Sequence, residues 1–172
     1  MPDVVTTLNK PSKLQRFLPL WFLLAVVWLI IGKSLIGGAG WVTAIMLITV
    51  APFLLVYGLV LWAIVKVRFS RSKYLMSKAL HVLVITLLAN VCVFGFVIVD
   101  GGDTLESGRS ALTSLFGVDL ANGAEHPVMN ISQWVTGKSI FLGIVLLPTV
   151  LVMSLVESRG KNTSKPKIGA AA

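Results

Sequence analysis

Between Trp41 and Val65 the chain runs for 25 residues without one formally charged side chain. A hydrocarbon core of about 30 Å takes about 20 apolar residues at ~1.5 Å rise each, so this segment alone can cross a bilayer. It spans roughly 37 Å if helical throughout, which predicts tilt or an end lying among the headgroups. Three further segments approach that length. They run from Phe17 to Ile36 with Lys33 inside, from Leu80 to Val99, and from Ile140 to Val156 with a start as early as Trp134. One such segment could be a core helix of a soluble protein; four together predict an all-α integral membrane protein.

The expected organisation is an N-terminal arm (1–16), a four-helix transmembrane domain (17–156) and a basic, disordered tail (157–172). Spans are placed at 17–36, 41–65, 80–99 and 137–156, with a sizeable outer loop at 100–136. The Gly37-Gly38-Ala39-Gly40 turn makes the first two helices antiparallel neighbours, and the predicted domain is an antiparallel bundle.

Charge placement sets the sidedness. Only 13% of residues are charged against 56% hydrophobic, yet the net charge is +8. Of 15 basic residues, 12 fall before the first span, between the second and third, or after the fourth. Lys33, Arg109 and Lys138 fall on the other side. By the positive-inside rule the amino terminus, the middle loop and the tail are cytoplasmic, and the expected location is the plasma membrane. The basic excess thus points to anionic lipid headgroups on the cytoplasmic side rather than to nucleic acid. A competing reading takes the first span as a secretory signal ending at the small residues 37–40. Its length and the interrupting Lys33 weigh against cleavage.

The single Cys92 excludes an internal disulfide and any paired-thiol redox chemistry. His81 and His126 fall on opposite sides of the predicted membrane, so they cannot ligate one metal or haem within a subunit. His81 reads as an interfacial side chain. Trp41, Trp62 and Trp134 sit at span ends, as amphipathic rings at an interface do, whereas Trp28 is deeper and reads as a packing residue. Trp41-Val42-Thr43 and Trp134-Val135-Thr136 hint at two related hairpins, although coincidence is the favoured explanation of the match.

Pro52 and Pro148 interrupt the second and fourth spans and free the carbonyls of Ile48 and Ile144. Such breaks are either tolerated kinks or, as in transporters, the makings of an ion site. Asn90 is the one amide deep in a span, and Thr86 lies four residues earlier on the same helical face. That face should point into the bundle and hydrogen-bond to a neighbouring helix. Ala44, Ala51 and Gly58 recur every seven residues and predict a packing seam, within the bundle or between copies.

Beyond the third span, Asp100, Asp103 and Glu106 recur at intervals of three. A solvated acidic face is expected there, with cation binding as the alternative. Leu112, Leu115, Phe116 and Leu120 fit a short amphipathic helix on the outer leaflet. Asn130-Ile131-Ser132 matches an outward-facing glycosylation sequon. No nucleophile elbow, metal-binding His-Glu helix or phosphate-cradling loop occurs. The expectation is therefore a protein without catalytic, cofactor or metal residues. It would work through helix packing, as an accessory or assembly subunit of a membrane complex or as a homo-oligomer. An oligomeric pore or small transporter is the alternative.

Overall fold

A computed structural model describes residues 12–37, 40–72, 76–100, 108–118 and 125–160. Nearly all of them are helical: α1 (Lys13–Arg16), α2 (Leu18–Val27), α3 (Lys33–Gly37), α4 (Trp41–Ile48), α5 (Val50–Ser72), α6 (Lys78–Val97), α7 (Ala111–Leu115) and α8 (Pro127–Gly160). A π-helical turn, Trp28–Gly32, joins α2 to α3. Four stretches are long and apolar enough to cross a membrane: Leu18–Ile36, Trp41–Val67, Lys78–Val97 and Pro127–Glu157. They are numbered spans 1 to 4, and the chain is read as a multi-pass membrane protein.

Span 1 packs on spans 2 and 3, and span 4 packs on the same two; spans 3 and 4 share the most extensive contact. One end of the assembly joins Ser12, Ser77, His81 and Glu157, and the other joins Lys33, Thr43 and Asp100. These are called the Ser77 end and the Lys33 end. Lipid tails are as apolar as Leu, so close fit rather than hydrophobic drive holds such helices together. Phe22, Tyr57, Leu61, Leu80, Val84 and Leu87 pack together towards the Ser77 end. Val26, Leu29, Met46, Leu54 and Val91 do so towards the Lys33 end.

Two glycines permit the closest approaches. A Cβ on Gly58 would lie 2.7 Å from the Phe22 side chain, and one on Gly95 would lie 3.3 Å from the Leu29 backbone. Of the predicted seam, Ala51 and Gly58 are buried in the bundle, whereas Ala44 is exposed. Gly95 does the equivalent work between spans 1 and 3, outside that heptad.

The two prolines differ in their surroundings, since only Pro52 lies beside a helix break. Span 2 breaks at Thr49 (φ −110°, ψ −60°), three residues ahead of Pro52. There the Phe53 N–H reaches Thr49 O at a stretched 3.4 Å, and the Thr49 hydroxyl donates to Ile45 O at 2.7 Å. Pro148 lies within the continuous α8, where the Thr149 hydroxyl donates to Val145 O and the Tyr57 hydroxyl donates to Leu147 O, both at 2.7 Å.

Several boundaries differ from expectation. The fourth helix starts at Pro127, not 137, because proline suits a first helical turn whose N–H would be unpaired anyway. The intervening segment is correspondingly shorter than 100–136. The same helix continues to Gly160, so Glu157 and its three successors are not part of a disordered tail. Residues 161–172, and the arm before Ser12, lie outside the described residues.

Candidate functional site

At the Lys33 end the sequence places one cation in an apolar helix and one acid just beyond another. Burial in low dielectric forces such charges to pair. Lys33 is 0% exposed and its ammonium forms an ion pair with the Asp100 carboxylate, itself 2% exposed at the side chain. Lys33 Nζ also donates to the Thr43 hydroxyl at 2.7 Å, and that hydroxyl donates to Asp100.

The carboxylate does further work for span 2. The N-cap of helix α4 is Gly40, which has no side chain to cap the free N–H groups. Asp100 supplies the missing acceptors, taking N–H bonds from Gly40 at 3.1 Å, Val42 at 2.9 Å and Thr43 at 2.8 Å. An anion is also favoured by the positive end of the helix dipole. Burial by itself pushes the Asp100 carboxyl up; hydrogen bonds from Lys33 and Thr43 and the Lys33 charge outweigh it and hold the group below its ordinary value. Reciprocal backbone bonds between Asp100 and Arg109, at 2.7 and 2.9 Å, hold the returning chain beside this cluster.

The expected solvated acidic face is thus corrected at Asp100, which is buried because Lys33 and three backbone donors meet it there. Asp103 and Glu106 lie outside the described residues. No group of three or more His, Cys, Asp or Glu suited to a metal ion occurs among the described residues.

Helix α7 packs on α3, α6 and α8. A reciprocal capping box between Ser110 and Thr113 starts it. Its buried residues are Ala111 and Thr113, while Leu115 and Phe116 are exposed. Leu112 is half-buried, and Leu120 lies outside the described residues. Of the sequon residues, Asn130 is exposed on α8, whereas Ser132 is fully buried and donates to Val97 O.

The Ser77 end repeats the device with other residues. Ser77 caps α6 by accepting the Leu80 N–H at 3.1 Å. Glu157, from the far end of span 4, receives both the Ser77 hydroxyl and, at 3.3 Å, the Ser77 N–H. His81 bridges Ser12 Oγ (2.6 Å) and Ser77 O (3.0 Å), which pins α1 to α6. Each end of the bundle is therefore tied by an acid set at the start of another helix: Asp100, beyond α6, at α4 and Glu157 of α8 at α6.

The third polar contact lies within the spans. Asn90 Nδ2 donates to the Ser139 carbonyl at 2.9 Å and so joins span 3 to span 4. Thr86 does not share this role: it is exposed, because the buried stripe of α6 runs through Leu80, Val84, Leu87 and Val91. A helix turns by about 400° in four residues, which leaves Thr86 about 40° farther from that stripe than Asn90.

No protein family, curated protein or solved structure matches this chain.

Two other sequence features acquire definite places. Trp28 donates its indole N–H to Cys92 O at 3.0 Å and lies against Gly32, where an added Cβ would come within 2.3 Å of the ring. Lys66 stands over the Trp62 ring at 4.3 Å and Lys138 over Trp134 at 5.5 Å, one pair towards each end of the helices. A cation stacked on an amphipathic ring suits the depth at which headgroups meet hydrocarbon.

Proposed function

We propose that this protein is a non-catalytic plasma-membrane component that acts through helix packing, as an assembly subunit of a membrane complex or as a homo-oligomer. One observation carries the reading. Two buried charges, Lys33 and Asp100, are consumed in tying helices together, while span 4 beyond Lys138 keeps an apolar, uncovered flank. Only 22% of the residues in its apolar stretch are buried, and Phe141, Val145, Val152 and Val156 stand exposed. Such a helix has a full side to offer a neighbour, and membrane helices associate by packing and interhelical hydrogen bonds. In this reading the bundle is antiparallel with both termini cytoplasmic, which rests on the distribution of basic residues. Anionic headgroups then meet the Ser77 end.

Purification in mild detergent from native membranes tests the proposal. A stoichiometric partner or a defined oligomer is the expected result; a monomer that brings nothing down overturns it. A pore or small transporter is the second reading, favoured by Asn90 beside the two proline-bearing spans. Under it, protein in liposomes releases a small dye at a rate that Asn90→Leu changes. Liposomes that stay sealed at high protein density remove it.

A further inference from the structure

Above the Tyr57 contact, spans 2 and 4 part, and a cleft of about 240 Å³ opens between them. Its floor is buried: Leu29 from span 1, Leu87 and Val91 from span 3, and Leu54 from span 2. Its rim is not, since Phe53 is 54% exposed and Ile144 65%. The cleft therefore opens sideways, towards the surface that faces hydrocarbon if these helices cross a bilayer. Span 2 breaks at Thr49, and beyond that break Thr43 of α4 bonds to Lys33 of span 1 and to Asp100. On the facing wall Gly143 leaves open the volume that a larger side chain would fill.

We infer that this cleft is a binding site for one acyl chain of a bilayer lipid. Its volume decides the class of occupant. A helix is about 10–12 Å across and cannot enter, whereas a run of methylenes can. The lining is almost wholly apolar, so water gains too few partners to stay there. Asn90 and Ser139, the polar residues of the wall, are joined by the bond from Asn90 Nδ2 to Ser139 O, and neither adds a charge that would repel hydrocarbon. At ~1.5 Å per residue Asn90 stands about 10 Å from the Val97 end of α6. That depth fits the tail of a lipid in the leaflet at the Lys33 end. The inference needs only that the chain spans a membrane, and it goes beyond the packing role.

The test is photolabelling in phosphatidylcholine vesicles doped with a phospholipid that carries a diazirine in one acyl chain. The expected adducts include the floor residues Leu87 and Val91, which a chain reaches only by entering the cleft. Gly143→Leu, and independently Val50→Phe from the opposite wall, should remove those adducts. Labelling at the exposed Val82 and Ile85 should persist and reports that the variant remains folded. Absence of floor adducts in the unmodified protein overturns the inference, as does floor labelling that neither substitution reduces. A cross-link from Ile144 to a neighbouring protein helix seated in the cleft overturns it as well. A partner bound elsewhere leaves these readouts unchanged, so failure here is separable from failure of the packing role.

Discussion

Lys33 Nζ and the Asp100 carboxylate meet 67 residues apart in sequence, in a site that excludes solvent from both side chains. The pair unites the end of span 1, the start of span 2 and the chain leaving span 3. Each charge is stabilised by the other and by Thr43, and Asp100 also by the N–H groups of Gly40 and Val42. Breaking a buried pair by removing one partner costs about 3–5 kcal/mol, because a lone charge stays behind. Lys33→Met and Asp100→Ala should each lower the thermal midpoint in detergent strongly. The double variant should recover part of the loss, since no uncompensated charge remains. Strictly additive losses would contradict the coupling.

Much of this arrangement could be read before any coordinates. Hydropathy located spans 2 and 3 to within a few residues, because a long apolar run has few ways to satisfy its backbone except as a buried or membrane helix. The pairing of Lys33 was less legible. Its isolation in an apolar span signals that a partner must exist, but three acids beyond span 3 competed for the role. Only tertiary structure brings Asp100 to the free N–H groups of α4. Thr86 was misplaced for a different reason: spacing along a helix relates side chains to each other, not to the face a neighbour covers. The start of α8 was missed because polar residues such as Asn130, Ser132 and Gln133 hide a helix that hydropathy alone does not see.

Acid should loosen the Lys33 end through Asp100. Its carboxyl is held below the ordinary carboxylate value, near ~3.9, so the folded protein binds that proton less readily than the unfolded chain. The contribution is therefore present above about pH 4 and lost as pH falls through the lowered folded value. Thermal midpoints of the unmodified protein should hold between neutrality and mild acid, then drop below about pH 4. Asp100→Asn should start lower and show a smaller acid-induced drop. Parallel profiles for the two proteins would assign the acid sensitivity elsewhere.

Glycine positions make a steric contrast. Gly58→Ala must push against Phe22 and Gly95→Ala against the Leu29 backbone, whereas a Cβ on Gly137 meets nothing within 4 Å. Overpacking a fitted interface typically costs about 1–3 kcal/mol. The first two substitutions should destabilise by amounts in that range and Gly137→Ala should not. Equal tolerance at all three positions, measured by unfolding in detergent, would mean that spans 1, 2 and 3 do not approach as closely as described.

The Asn90 contact should matter less than its depth suggests. Interhelical hydrogen bonds in membranes average only about 0.6 kcal/mol, because the unfolded helix also finds partners. Asn90→Leu should therefore weaken the bundle slightly, by far less than Lys33→Met. A loss of several kcal/mol would show that Asn90 holds more than the Ser139 carbonyl.

Sidedness has its own test, because the two ends of the bundle carry accessible residues of known placement. Glu125 is exposed towards the Lys33 end, and Lys66 is exposed beside Trp62 towards the Ser77 end. With the exposed Cys92 first replaced by Ala, Glu125→Cys and Lys66→Cys each offer one thiol for a membrane-impermeant maleimide. The excess of basic residues around Lys66 predicts that it faces the cytoplasm. Glu125→Cys should then label on intact cells, and Lys66→Cys only after permeabilisation. The reverse pattern would invert the topology while keeping the four spans. Labelling of both from outside would break the odd number of crossings that separates them, and with it the assignment of span 3 as a full crossing.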